Sequence, residues 1–485
     1  MNDDAIAQLN PQPVWKQFLQ LTRIPRPSHH EAAVQEHVIS IARDLGLELV
    51  RDPHDNILIR KPASPGMESA PGVILQGHLD MVPQANSDTE HDFTRDPIRA
   101  RIDQEWVTAS GTTLGADNGI GVAAALAVLE SRKLRHGPLE ALFTSNEEDG
   151  MSGASGLSGA LLLGEMMLNL DSEEEGLICV GCAGGANVTS RLDYDPQPAT
   201  AGLQWVTLRV GGLKGGHSGI DIHRGRGNAS RLLARLLVLA GEQVEFRLGT
   251  FLGGNMRNAI PREATATLAL NGEALPGFGV LIEELAQQVQ REYAGVEPEI
   301  QVILQQGDEE ESLLPKPLQQ PVLDAINACS SGVVRMSDSM PGLVETSTNL
   351  SVVKVADGRI EIRSLVRSSL DSARDAVCAE LRSLFRLIGA QSVIDGQYPG
   401  WQPDPDSRLL RTLGEAYQAL YNAPVRVGAI HAGLECGIIG SRYPGMDMAS
   451  FGPTIHNPHS PDERLHIPSV QRFWDLLVAT LGRLE

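Results

Sequence analysis

Apolar positions in the first part of the chain switch repeatedly between a period of about two and a period of about 3.6. Val34, Val38, Ile41 and Leu45 recur at helical spacing behind Ser28-His-His-Glu31, which reads as a capping box opening that helix. Short apolar runs at 56–60, 72–76, 139–144 and 166–170 read as strands. Between them, Gly119 to Leu129 is Ala-rich and apolar nearly all round, which predicts a buried helix. Strands alternating with helices predict an α/β fold built on a mostly parallel sheet covered on both faces.

The rhythm changes in the middle. Two Pro/Gly-rich stretches, 195–202 and 398–406, read as hinges. Between them the pattern predicts a strand near 205–210, a helix near 230–240, strands near 244–251 and 264–270, and a helix near 280–293. A second round follows, with a helix near 321–329, strands near 350–355 and 359–366, and a helix near 372–387. Two such rounds predict an inserted α+β domain, helices on one face of an antiparallel sheet, at 190–397. The first domain then comprises 1–189 and, after the insertion, 398–485.

Composition narrows the classes. A chain of 485 residues is too long for one small core, so two domains are expected. Its net charge of −21, from 61 acidic and 40 basic residues, argues against nucleic acid and anionic membrane surfaces as partners. No apolar run approaches a bilayer-spanning length, and MNDDAIAQLN is acidic where a secretory signal would be basic and then apolar, so the expected location is the cytoplasm. Five cysteines do not suggest a disulfide framework, and Cys179-Val-Gly-Cys182, with no second pair, reads as two small residues on a buried strand.

Candidate chemistry falls at the ends of the predicted strands, where parallel sheets bind ligands. His78 and Asp80 lie two apart at a strand end, so they leave the same face, and Asp80 can accept the second N–H of the imidazole. Asp117 sits in a Gly-rich turn that opens a helix, as an N-cap or as a carboxylate facing two cations. The adjacent pair Glu147-Glu148 would repel unless one binds metal and the other stays near an activated water as general base. Asp171, directly after an apolar run, is the expected ligand of its acidic stretch, with Glu173, Glu174 and Glu175 as surface. His459, in the proline-bounded turn Pro458-His-Ser-Pro461, is preferred over His456 as a last ligand. Several carboxylates with a few imidazoles suit a pair of zinc ions. His217 lies in a glycine-rich turn of the inserted domain that lacks the spacing of a phosphate loop; taken alone it reads as structural.

In order and spacing, Gly111-TTLGADNGIG, Asn169-LDSEEEG, Gly212-LKGGHSG, Asn258-AIPREA, His431-AGLECG and Gly452-PTIHNPHSPDE resemble the metallopeptidase family that includes glutamate carboxypeptidase, aminoacylase, tripeptidase and the carnosinases. The resemblance spans essentially the whole chain. It implies a catalytic domain with an inserted lid, one zinc on His78, Asp117 and Asp171, the other on Asp117, Glu148 and His459, and Asp117 bridging them. Manganese or cobalt would fit the same ligands. It further implies a cis peptide after Asp117, a hydroxide bridging the zincs with Glu147 as general base, and His217 reaching over the site to the oxyanion. Asn258 and Arg367 would hold the carboxylate end of the substrate, Arg363 being the weaker candidate. The family often has Gly-Thr-Asp where this chain has Gly433-Leu-Glu435, which leaves Glu435 without an implied role. The implied activity is hydrolysis of unblocked dipeptides, Xaa-His such as β-alanyl-histidine included, by a chain that pairs as a homodimer. A deacylase or carboxypeptidase acting on N-blocked substrates shares every one of these site residues. A metal-dependent scaffold without activity does not account for Glu147 beside five ligands.

Overall fold

The computed structural model describes residues 2–404 and 406–485. The chain forms two compact units, one of Met1–Gly181, Pro403–Ala429 and Leu434–Glu485, the other of Cys182–Gln402 and Ile430–Gly433.

The first unit is built on an eight-stranded sheet whose centre is parallel: Leu139–Thr144, Val73–His78, Met166–Asn169 and Asp447–Ser450, side by side in that order. Every residue of the first three is buried, as expected for strands covered on both faces. Antiparallel pairings flank this centre, with Ile57–Lys61 and then Glu48–Arg51 beyond Leu139–Thr144, and Leu177–Cys182 beyond Asp447–Ser450; Arg426–Ile430 lies next to Leu177–Cys182 at the end of the sheet. Helix Ala116–Glu130 packs on Val73–His78 and on helix Gln12–Thr22, and it is buried on all sides except at its ends, which explains its all-round apolar sequence. Two glycines allow the close approach of helix and strand ends. A Cβ on Gly77 would lie 2.3 Å from Asn118 Oδ1, and one on Gly121 would lie 2.3 Å from the carbonyl of Leu170, to which Asn118 donates at 2.7 Å. Because the four central strands run parallel, the segments leaving His78, Thr144, Asn169 and Ser450 emerge along one edge.

The second unit carries a nine-stranded antiparallel sheet. Its main path runs Gln301–Gln306, Leu203–Gly211, Ala264–Asn271, Phe246–Gly253, Val344–Ala356, Arg359–Ser368, Gly184–Asp193, Gln391–Tyr398, and Gly332–Met336 pairs with Val344–Ala356. Alternate strand positions join helices Ala229–Gly241, Leu275–Tyr293, Lys316–Ala328 and Asp371–Arg386 in one apolar core. Among the described residues no helix is long and apolar enough to cross a membrane.

Two sequence expectations change. Ser28 does not cap a helix: the helix is Ala32–Leu45 with Glu31 at its N-cap, and the Ser28 hydroxyl donates instead to Asp80 Oδ2 at 2.8 Å. The chain passes into the second unit at Cys182, so the stretch 195–202 lies wholly inside that unit. The reason is Gly184–Asp193, whose small and polar residues hid a strand that pairs along its whole length with Arg359–Ser368. The parallel strands expected of the first sheet form its centre, with antiparallel pairings on either side.

Candidate active site

Along the edge of the first unit's sheet, the Asp117 carboxylate lies between two imidazoles. His78 Nε2 is 3.0 Å from Asp117 Oδ1 and 3.5 Å from Asp171 Oδ1, while His459 Nε2 is 3.1 Å from Asp117 Oδ2 and 3.1 Å from Glu148 Oε1. Each oxygen of Asp117 thus belongs to a different His–carboxylate triad. Ligand atoms of His78, Asp117 and Glu148 all lie within 4.8 Å of one another. Local backbone makes this possible. Asp117 and Asn118 are non-helical (ψ 115 and 28), so the carboxylate turns out of a helix that otherwise runs from Ala116; the peptide between the two residues is cis.

Asp80 organises the neighbouring groups. Its Oδ1 lies 3.4 Å from His78 Nδ1 and accepts the Glu147 backbone N–H at 3.0 Å, and its Oδ2 accepts the Glu148 N–H at 3.1 Å. One carboxylate therefore fixes the His78 ring and the turn that presents both glutamates. Burial pushes the Asp80 carboxyl up, but His78, the Glu147 N–H and Ser28 outweigh it and hold it at about 2. Asn146 completes the turn at φ 54, its side-chain amide donating to Asp149 O at 2.9 Å and Ser152 Oγ at 2.8 Å.

The donor set fits a pair of divalent cations. Glu148 Oε1 and Asp171 Oδ1 are buried, and neither has a hydrogen bond of acceptable geometry despite the nearby imidazoles. Burial raises Asp171 to about 7 against the opposing pull of His78, and raises Glu147 well above the usual carboxylate range. Closely packed carboxylates with orphaned oxygens are unfavourable in a protein-only site and favourable around metal. His456, the alternative to His459, stacks on Trp106 at 4.7 Å and stays out of the triads.

Two carboxylates that the sequence did not point to join the cluster. Glu173, expected at the surface, is half-buried, and burial together with Asp117 and Asp171 raises it to about 8. Its place two residues after Asp171 was the available signal, masked by the run of three glutamates. Glu435 is 2% exposed and accepts from Gln76 Nε2 at 2.6 Å and Thr144 Oγ1 at 2.7 Å, its other oxygen being buried without a partner. Burial raises it to about 7, against the pull of His78. Gln76 and Thr144 belong to the strands that end at the site, so Glu435 takes its place from the sheet beneath.

The second unit brings together a different set. His217 Nδ1 accepts the backbone N–H groups of Gly219 at 3.2 Å and Ile220 at 3.1 Å, which leaves the proton of the neutral ring on Nε2. Burial and the Arg367 charge keep this imidazole below its ordinary pKa, hence neutral. Arg367 is 6% exposed, donates to Tyr398 Oη at 2.9 Å, and has no carboxylate partner among the described residues. Arg363, by contrast, is paired with Glu361. Asn258 is exposed, and its carbonyl accepts the Ser218 N–H at 2.8 Å. His431, 7% exposed, lies within hydrogen-bond distance of Ser347 Oγ (2.7 Å), and burial and Arg367 lower it to about 3.

Residues 74–483 match the model of peptidase family M20/M25/M40. The chain belongs to this family. It is 48% identical over 479 residues to the cytosol non-specific dipeptidase of Escherichia coli (strain K12), with 99% of each chain covered. Its structure matches that of the aminoacylhistidine dipeptidase from Vibrio alginolyticus with a TM-score of 0.93 at 46% identity, covering 98% and 97% of the two chains. Aminopeptidase PepT from Bacillus cereus shares the fold, with a TM-score of 0.57 at 15% identity over 98% and 99%. With the family comes the class of enzyme: this M20 chain is a metal-dependent peptidase.

Proposed function

We propose that this M20 peptidase is a cytoplasmic di-zinc dipeptidase that hydrolyses unblocked dipeptides, Xaa-His such as β-alanyl-histidine among them. The observation that carries the reading is the Asp117 carboxylate shared between two triads, with Glu147 next to Glu148. His78, Asp117 and Asp171 would hold one ion, and Asp117, Glu148 and His459 the other. Bound there, the ions supply Lewis-acid polarisation of the scissile carbonyl and lower the pKa of the attacking water. Glu147, held through its N–H by Asp80, takes that water's proton and returns it to the departing amine. His217 offers its Nε2–H where negative charge develops on the carbonyl oxygen. Arg367, buried with no counter-charge among the described residues, binds the substrate's terminal carboxylate, with Asn258 adding an amide donor. Kinship with a protein named a cytosol dipeptidase supports both the substrate class and the location.

The unblocked amine is favoured by charge. Glu173 and Glu435 stand beside the ligands with no cation paired to either carboxylate among the described residues, and an ammonium group meets that surplus where an acyl cap does not. Zinc-loaded turnover of alanyl-histidine beside its N-acetyl form tests this. The free dipeptide is expected to be the one cleaved. Equal or faster cleavage of the acetylated form would replace the reading with a deacylase or carboxypeptidase. Arg367→Met is expected to raise KM for the free dipeptide by roughly 30-fold or more, since losing one partner of a buried charge pair costs about 2 kcal/mol or more. A dipeptide amide, lacking the carboxylate, should be cleaved equally by both proteins in the same assay.

A further inference from the structure

The turn leading into Asp117 is held through its backbone by two buried charged residues that the metal chemistry does not use. Glu463, 1% exposed, accepts four consecutive N–H groups: Leu114 at 2.7 Å and Gly115 at 2.9 Å on Oε2, Ala116 at 2.7 Å and Asp117 at 3.2 Å on Oε1. Arg26, 2% exposed, donates to the carbonyl of Gly115 at 2.5 Å, and to those of Leu79 at 2.8 Å and Asp80 at 2.9 Å. The turn that carries Asp117 therefore has its amides on a carboxylate and a carbonyl on a guanidinium.

Glu463 also lies four residues beyond His459 on the same loop. Its N–H bonds Ser460 O at 2.9 Å, and the following strand Arg464–His466 pairs with Trp106–Ala109. The His459 side chain is itself half exposed (50%) on a residue at φ 59, so little else fixes it. The other triad is placed differently. His78 ends the strand Val73–His78, and Asp171 lies two residues past Met166–Asn169, which pairs with that strand, so the sheet sets their separation.

We infer that Glu463 is a positioning residue for one metal site in particular: its carboxylate docks the His459 loop onto the Asp117 turn and so assembles the Asp117–Glu148–His459 triad. The His78–Asp117–Asp171 triad depends on it far less. The inference rests on the two-metal reading above. Gln at 463 keeps the shape but puts an NH2 against two of the four N–H groups, so the docking is lost by donor–donor conflict. Asp keeps a full acceptor on a shorter stem.

Metal-free wild type, Glu463→Gln and Glu463→Asp would each be titrated with Co2+, following d–d absorption and calorimetric stoichiometry, with far-UV circular dichroism of the metal-free forms alongside. Wild type is expected to take two ions per chain. Glu463→Gln should take the first within about threefold of the wild-type affinity and the second at least about tenfold more weakly, and Glu463→Asp should recover part of that loss. Equal weakening of both ions, or of neither, overturns the inference. Should Glu463→Gln not fold, Glu463→Asp decides alone: the second ion must weaken more than the first. Fewer than two ions on wild type would overturn the two-metal reading itself, whatever the variants do.

Discussion

Glu147→Gln is expected to lower kcat by about 10²- to 10⁴-fold while both metal ions stay bound, the range usual for loss of a general base. Neither triad contains Glu147, and its N–H remains on Asp80 Oδ1 whichever side chain it carries, so the substitution removes a proton acceptor and leaves the ligands in place. The site prepares this group for proton transfer. Burial raises its carboxyl well above the ordinary range, and Asp171, Glu435 and Glu148 add to the rise against the pull of His78. A carboxylate of raised pKa is a stronger base than an ordinary one, which favours removal of the proton from the attacking water. Metal content and single-turnover rates, measured on the same preparation, check the prediction. The parent rate at full metal content would remove Glu147 from the mechanism. Glu148→Gln provides the contrast, because its Oε1 lies against His459 in a triad: that variant should lose metal first and rate as a consequence.

The part of the fold legible from the sequence is the part buried on both faces. Leu139–Thr144 stood out as a mainly apolar run because a strand packed on both sides exposes no face to water, Glu140 being its one charged position. Gly184–Asp193, Gln301–Gln306, Gly332–Met336 and Gln391–Tyr398 did not, since half-exposed antiparallel strands dilute the signal with polar residues. Gln301–Gln306 has no fully buried residue, and it is a strand because Leu203–Gly211 offers it a hydrogen-bonding edge, a tertiary fact. The first crossing between units was misplaced for the same reason: a strand, Gly184–Asp193, occupies the second unit ahead of the Pro/Gly-rich stretch.

At the site, residues announced by position relative to a strand end were readable. His78, Glu147, Glu148 and Asp171 follow from the rule that parallel strands deliver ligands at their carboxyl ends, and the structure brings them together with Asp117 and His459. What the sequence hid are partners distant in the chain. Ser28 bonds Asp80 across 52 residues, Glu435 reaches Gln76 across 359, and Glu463 reaches Leu114 across 349. Ser28 was even legible as something else, a helix cap, because Ser-x-x-Glu has a local meaning that here yields to a tertiary bond. Glu173 shows the converse limit: within Glu173-Glu174-Glu175 the carboxylate that turns inward is marked by nothing more than its place two residues after Asp171.

Withdrawing metal with a chelator is expected to abolish turnover and to destabilise the protein, by an amount that grows with pH. Asp80, Asp117, Glu147, Glu148, Asp171, Glu173, Glu435 and Glu463 crowd one edge, with the Arg26 guanidinium buried among them. In the metal-free protein burial and mutual repulsion raise Asp171 and Glu435 to about 7 and Glu173 to about 8, all above their unfolded values near 4. The folded chain then holds more protons than the unfolded chain between about pH 4 and pH 8, so metal-free stability falls as pH rises through that window. Divalent cations replace those protons, and one ion at free concentrations near 1,000 times its Kd adds about 4 kcal/mol. Thermal unfolding with and without chelator, at about pH 6 and again at about pH 8, measures the gap directly. A wider gap at the higher pH is the expected result, with activity returning when zinc is added back. A gap independent of pH would mean that these carboxylates are balanced within the protein alone, and the charge argument for both the metals and the substrate ammonium would fall with it.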